Sequence, residues 1–132
     1  MQAAAKILPA TRPAGHRYFT NEGVDNVLVT YEGLLEGSAK LYAGDHKLTN
    51  PLISPVYGDF SDFPPTYLVS GTRVMFLSNT VRNHRKLRTA GVEADLNVYE
   101  SFSHGDYLKV IDSPESQQAY AELGAFLLQH LN

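Results

Sequence analysis

The stretch PPTYLVSGTRVMFLSNTVRNHRKLRTAG, residues 64–91, reads as a strand, a loop and a helix in succession. The run from Thr66 to Ser70 is short and mainly apolar, which is typical of a buried strand. A helix is predicted from Ser78, as its N-cap, to Ala90, with Gly91 just past its end. In α/β proteins the loop that joins such a strand to its helix is where a ligand usually binds.

The rest of the chain repeats this order of strand and helix. Strands are predicted near residues 4–8 and 94–100, in addition to 66–70. Helices are predicted near residues 26–42 and 114–131, in addition to 78–90. The fold class is therefore α/β, with about three parallel strands and helices packed on the faces of the sheet. We expect the whole chain, residues 1–132, to form a single domain.

Apolar residues at helical spacing predict which helix faces are buried. In the helix near 26–42 they are Leu28, Tyr31, Leu35, Ala39 and Tyr42. In the last helix, which Ser113 and Pro114 open, they are Tyr120, Leu123, Leu127 and Leu131. Residues 46–65 hold four prolines and no sustained period, so they are predicted to form an ordered loop.

Composition limits the classes of function. With 43% hydrophobic and 19% charged residues, the 132-residue chain has the composition of a globular protein. A net charge of −3 gives no overall attraction to nucleic acid or to an anionic membrane, so neither is an expected partner. The absence of cysteine excludes a disulfide scaffold and a thiolate nucleophile, and it fits a cytoplasmic location. The opening MQAAAKILPATRP predicts neither a signal peptide nor a membrane span.

Neither a metal site nor a cofactor site is predicted. His16, His46, His84 and His130 are scattered without the spacing of metal ligands, and no glycine-rich phosphate motif is present. The basic run within residues 82–88 lies on a predicted helix and could suggest phosphate contact. Because the chain is acidic overall and the run has no interleaved aromatic residues, we interpret it as a solvated helix face.

The loop after the last predicted strand, SFSHGDYLKV, places His104 a few residues beyond the strand end. A histidine in a strand-to-helix loop is a candidate general base. The alternative is a loop histidine that only hydrogen-bonds its neighbours.

Three segments together carry a resemblance to a known family. They are YFTNEGVDNVLVTYEGLLEGSAKLYAGD, NPLISPVYGDFSDFPPTYLVSGTR and LSNTVRNHRKLRTAGVEADLNVYESFSHGDY. With the closing helix, they resemble the C-terminal portion of α/β-hydrolase carboxylesterases, in the bacterial hormone-sensitive-lipase-like branch. The resemblance runs over nearly the whole chain.

The resemblance implies positions for two members of a catalytic triad. His104, in SHGDY, matches the position of the catalytic histidine. The acid position falls directly after SGTR, where relatives usually carry aspartate and this chain has Val74. Asp59, Asp62 and Asp106 could stand in for the lost acid, although loop aspartates are more commonly capping groups.

The family's nucleophilic serine lies in a G-x-S-x-G elbow on a strand that precedes the matching segments, as does the glycine-rich oxyanion loop. No serine of this chain has glycine two positions before and two positions after it. We therefore expect a homologue of ester hydrolases that keeps His104 alone and is inactive by itself.

The missing strands imply an open sheet edge beside the strand near 4–8, and uncovered apolar helix faces. One hypothesis is a silent remnant that self-associates or binds a protein partner through this edge, with a small ester as a possible ligand. A second is a split carboxylic-ester hydrolase that is active only with a serine-bearing N-terminal half. A third is a gene fragment that folds without a selected function.

Overall fold

A computed structural model describes residues 21–131 of the chain. The predicted strand near 4–8 and His16 lie outside the described residues, as does Asn132. The described helices and strands, in chain order, are α1 (Leu34–Ala43), β1 (Thr66–Gly71), α2 (Leu77–Thr89), β2 (Ala94–Tyr99), α3 (Asp106–Lys109) and α4 (Pro114–His130), with a 3₁₀ turn at Pro55–Tyr57.

The two strands form a parallel sheet. Thr66 pairs with Ala94 at one end and Gly71 with Tyr99 at the other. Helix α2 connects the strands and packs on both of them, and α4 contacts β1. Because the strands are parallel, their carboxyl ends meet at one edge, and the loops that follow them lie side by side. The predicted α/β class is confirmed.

Helix α2 begins before the predicted cap. Its N-cap is Phe76, and Ser78 lies inside the first turn with its Oγ buried and without a hydrogen-bond partner. The reason is a tight turn directly after β1, where the Val74 N–H donates to the Gly71 carbonyl. The predicted end of the helix is right: Gly91 has φ of 80°, a left-handed conformation that glycine adopts without steric cost.

Helix α1 begins at Leu34, so the prediction of a helix from residue 26 is wrong in its first two turns. Val29 and Gly33 have φ of 53° and 97°, which no α-helix contains. The Asp25 carboxylate accepts hydrogen bonds from the Val27 and Leu28 N–H groups, as it would at a helix start, but the chain turns away at Val29. Local side-chain bonds of this kind compete with helix formation.

Helix α4 has the predicted start and a different buried face. The Ser113 Oγ accepts a hydrogen bond from the Ser116 N–H, and Pro114 is the first helical residue. The buried side chains are Ser116, Ala119 and Phe126. The predicted face is wrong for Tyr120, Leu127 and Leu131, which are exposed, whereas Leu123 is partly buried. The buried face contains the small residues Ser116 and Ala119, so the spacing of the large apolar residues did not predict it.

The loop of residues 46–65 is ordered by side chains of α2. The Lys86 Nζ donates to the carbonyls of Val56 and Gly58, at 2.8 and 2.9 Å, and lies 5.3 Å from the Phe60 ring centre. Arg82 lies over the Tyr57 ring. The interpretation of the basic run as a solvated face is therefore wrong for these two residues, whose stems and charges pack on the loop.

No helix among residues 21–131 is both long enough and apolar enough to cross a membrane.

Candidate active site

A pocket of about 170 Å³ lies at the carboxyl ends of β1 and β2. Its lining includes Ser70 and Val74 from the end of β1 and the loop that follows, and Phe76 where α2 begins. His104 and Tyr107 line it from the other side, in and after the loop that follows β2. The structure thus brings the two positions that the sequence singled out, 74 and 104, to the same pocket.

The two loops are joined to each other by backbone contacts. The Thr72 N–H donates to the Tyr99 carbonyl at 2.9 Å, and the Arg73 N–H donates to the Phe102 carbonyl at 3.1 Å. In return, the Ser101 N–H donates to the Thr72 hydroxyl at 2.9 Å. Their approach depends on Gly71, where a Cβ would come within 2.1 Å of the Phe102 carbonyl oxygen.

His104 is exposed and lies in a tight turn between β2 and α3. The turn is closed by Asp106, whose carboxylate accepts a hydrogen bond from the Ser103 N–H at 2.7 Å, and by Gly105, which has φ of 69°. The imidazole meets the Phe76 ring edge-on, with 6.1 Å between ring centres. An exposed imidazole on the rim of a pocket has access to a small molecule and to solvent protons.

Position 74 offers that imidazole no hydrogen-bond acceptor on its side chain. Val74 is 7% exposed and lines the pocket, while the adjacent Met75 is 1% exposed. In a serine hydrolase the carboxylate holds the imidazole in the correct tautomer and stabilises the imidazolium. A valine does neither.

The aspartates proposed from sequence as substitutes have other roles or lie elsewhere. Asp59 is exposed and accepts from the Ser61 N–H within its own turn, which is the capping role. This hydrogen bond lowers the pKa of the Asp59 carboxyl. Asp62 is exposed in the same loop, and Asp106 holds the Ser103 N–H and an ion pair with Lys109.

A carboxylate that was not predicted from the sequence lies beside both loops. Asp25 is 1% exposed. One of its oxygens accepts from the Met75 N–H at 2.9 Å, and the other accepts from the His104 N–H at 3.4 Å as well as from Val27 and Leu28. Burial by itself raises the pKa of this carboxyl, but the four backbone N–H donors outweigh it, and the pKa lies below its ordinary value. Asp25 is therefore a buried anion.

A signal for Asp25 was present in the sequence. Aspartate directly before a predicted helix start is a typical N-cap, and its bonds to the residues two and three positions on are cap bonds. What the sequence could not indicate is that the same carboxylate also reaches residues 75 and 104, because those contacts are made by the fold.

Residues near Asp25 also bond to the loops that follow β1 and β2. The Asn21 side-chain amide donates to the Thr72 and Val74 carbonyls, at 3.0 and 2.9 Å. The Arg73 guanidinium donates to the Val24 carbonyl, and the Ser103 Oγ accepts from the Asn26 N–H at 3.1 Å. We call residues 21–28 the clasp, because this segment bonds to the loops after β1 and β2 at once.

Within the part of the chain that the structure describes, no three histidine, aspartate or glutamate side chains come together in a group that could hold a metal ion.

Comparison with known proteins gives one family and several esterases. The family described as the alpha/beta hydrolase fold matches residues 1–108. The chain is similar to the crystal structure of an esterase, with 55% identity and a TM-score of 0.86 over 90% of this chain and 36% of that one. It is also similar to the crystal structure of an esterase from the bacterial hormone-sensitive lipase family, with 28% identity and a TM-score of 0.80 over 90% of this chain and 39% of that one.

A curated protein from Acinetobacter venetianus, named an esterase, is 25% identical over 101 residues, which are 76% of this chain and 33% of that protein. The resemblance to hormone-sensitive-lipase-like esterases is thus confirmed. The chain spans only about a third of the length of these relatives.

Proposed function

Because the chain belongs to the α/β-hydrolase family, we propose that it is an esterase-type member that keeps His104 as its catalytic position and does not hydrolyse esters on its own. The observation that carries the proposal is the buried Val74 side chain in the pocket that His104 lines. The similarity to esterases supports a small ester as the ligand class for this pocket. The cytoplasmic location stays a prediction.

The size of the expected defect follows from known triads. Replacing the carboxylate in a complete triad while keeping its shape lowers kcat by about 10⁴-fold, because the histidine is held in the wrong tautomer. Here the family acid position carries a side chain with no polar atom, and no serine of the 132 residues lies in a G-x-S-x-G elbow. An imidazole alone remains a weak base or nucleophile toward activated esters, so trace hydrolysis fits the proposal and efficient turnover does not.

The test is hydrolysis of a short-chain activated ester by the purified chain, beside His104→Ala and beside His46→Ala as a matched control. His46 is an exposed histidine that does not line the pocket. We expect all three rates to lie near the background rate. If the parent and His46→Ala turn over repeatedly and His104→Ala does not, the chain is an active esterase and the proposal of inactivity is wrong.

A second candidate function is a split carboxylic-ester hydrolase, in which a separate serine-bearing chain supplies the nucleophile. The similarity to two esterase structures supports an ester hydrolase as the class of activity. The experiment mixes this chain with the N-terminal portion of an esterase relative and compares the parent with Val74→Asp. We expect hydrolysis only with Val74→Asp. If the parent complex is as active, the split hydrolase is the correct function and the residue at position 74 is not needed as an acid.

The chain is also expected to self-associate or to bind a protein partner. This proposal is supported by large apolar side chains that are more than 70% exposed, among them Leu34, Leu41, Leu128 and Leu131. Exposed apolar area of this kind is typical of interaction surfaces.

A further inference from the structure

His104 needs something other than residue 74 to fix its position. The described contact of its ring is a T-shaped one with the Phe76 ring, whereas its backbone N–H is bonded to the Asp25 carboxylate. The same carboxylate holds the N–H of Met75, the residue next to the family acid position. Asp25 thus bonds one residue of each loop that forms the pocket.

We propose that Asp25 is the positioning residue for His104, and that it fixes the histidine loop against the loop of residues 72–76 through backbone N–H groups. The proposal rests on the role proposed above for His104. It assigns to Asp25 the task of holding the backbone of the histidine loop in place, whereas the ring-directed hydrogen bond that an acid at position 74 would make stays unfilled. The inference is therefore compatible with an inactive chain.

Charge and geometry both favour an anion at this place. Hydrogen bonds from backbone N–H groups to a carboxylate are stronger than those between neutral groups, and four donors converge here from three separate parts of the chain. An asparagine would offer a single acceptor oxygen. Its amide nitrogen would replace one of the two carboxylate oxygens and would face either the Met75 N–H or the N–H groups of Val27, Leu28 and His104. Because an amide nitrogen cannot accept a hydrogen bond, one of the two loops would lose its acceptor.

The other charged groups near the His104 turn have different partners. Asp106 accepts from the Ser103 N–H and pairs with Lys109, both on the side of α3. Arg73 bonds to Val24 and Asn26 within the clasp. Asp106 and Asp25 accept from different backbone N–H groups in this turn. Substituting one carboxylate therefore tests its effect on His104 while the other stays in place.

The first measurement is made on the parent chain by NMR. On acidification the amide protons of Met75 and His104 are expected to share one transition, that of the Asp25 carboxyl, and this shared transition is expected to persist in Asp106→Asn. The absence of a common transition from the two amide shifts would overturn the proposal. This measurement needs no substitution at Asp25, so it decides the question even if variants of Asp25 do not fold.

The second measurement follows the nuclear Overhauser effect between the His104 and Phe76 rings in Asp25→Asn. We expect the effect to be lost and the His104 and Met75 amides to exchange faster with solvent. Asp59→Asn removes a carboxylate that caps its own turn, and Ser113→Ala weakens the start of α4. Both controls are expected to keep the ring contact, which separates positioning from a general loss of stability.

A folded Asp25→Asn chain that keeps the ring contact at parental strength would overturn the proposal. Ester hydrolysis does not enter either measurement. A failure of the proposed function would appear in the rate assays and leave these signals unchanged, so the two failures are distinguishable.

Discussion

At the scale of single residues, a buried carboxylate and a glycine bring the pocket loops together. Asp25 supplies acceptors to both loops, and Gly71 leaves the space that lets Phe102 approach β1. Val74 lines the same pocket with a buried apolar side chain. These residues set the geometry of the pocket, while the chemistry proposed above depends on His104.

The lowered pKa of Asp25 predicts a loss of stability in acid. The folded-state pKa lies below the ordinary value that applies in the unfolded chain, so the unfolded state binds the proton first as the pH falls. The stabilisation is full above the unfolded pKa, near pH 4, and is lost as the pH falls through the folded pKa. Denaturant unfolding at several pH values should show a steeper acid decline for the parent than for Asp25→Asn. Parallel curves would contradict this assignment.

Gly71→Ala is expected to destabilise the chain by about 3 kcal/mol, because the new Cβ forces the Phe102 backbone away. The matched control is Gly124→Ala in α4, where a Cβ meets no atom within 4 Å. Alanine is the better helix former, so this control is expected to be about 0.5–1 kcal/mol more stable than the parent. The measurement is the denaturant midpoint of each variant. Equal midpoints for the two variants would show that the approach at Gly71 is unimportant.

At the scale of elements, the sequence predicted those features that depend on local pattern. The two described strands, the Ser113 cap and the glycine after α2 all follow from short runs of residue types, and the structure has them. The early part of α1 could not be predicted, because Asp25 uses its cap bonds in a turn that the distant loops stabilise. Likewise, the buried face of α4 consists of serine, alanine and phenylalanine, which a search for leucines overlooks.

The candidate site also has features that could be predicted from the sequence and features that could not. The resemblance placed His104 and Val74 at matching positions, and the structure brings both to one pocket. The clasp was not predicted, since its bonds join residues about 50 to 80 positions apart in the chain. Contacts of that range are set by the packing of the whole sheet and leave no local pattern.

The contact between α2 and the loop of residues 46–65 predicts a specific effect of Lys86→Met. This change leaves the Val56 and Gly58 carbonyls without their charged donor and is expected to lower stability by about 1–3 kcal/mol. Arg85→Met alters the neighbouring, exposed position on the same helix and is expected to change stability by less than about 0.5 kcal/mol. Thermal unfolding compares the two variants. A Lys86 variant as stable as the Arg85 variant would mean that the loop is held by other contacts.

At the scale of the whole molecule, the described surface carries large apolar side chains that are largely exposed. Leu34 and Leu41, seven positions apart in α1, are 84% and 85% exposed, and Leu128 and Leu131 of α4 are 72% and 77% exposed. These exposed leucines favour association.

Sedimentation over a range of concentrations is expected to show a discrete dimer or larger oligomer. The double variant Leu34→Glu with Leu41→Glu should shift the distribution toward monomer, because it places charges in the apolar surface of α1. Leu52→Glu, at an equally exposed leucine in the loop of residues 46–65, is the control. A parent chain that stays a single monomeric species at high concentration would contradict self-association.

The contact between Lys86 and the loop of residues 46–65 also has a consequence for chemical labelling. An amine engaged by two carbonyls and an aromatic ring is shielded from acylating reagents, whereas the amines of Lys40, Lys47 and Lys109 are on exposed residues. A succinimidyl ester should therefore modify Lys86 last among these four. The extent of its modification, read by peptide mass, reports how often the proline-rich loop lifts from α2, without any change to the chain.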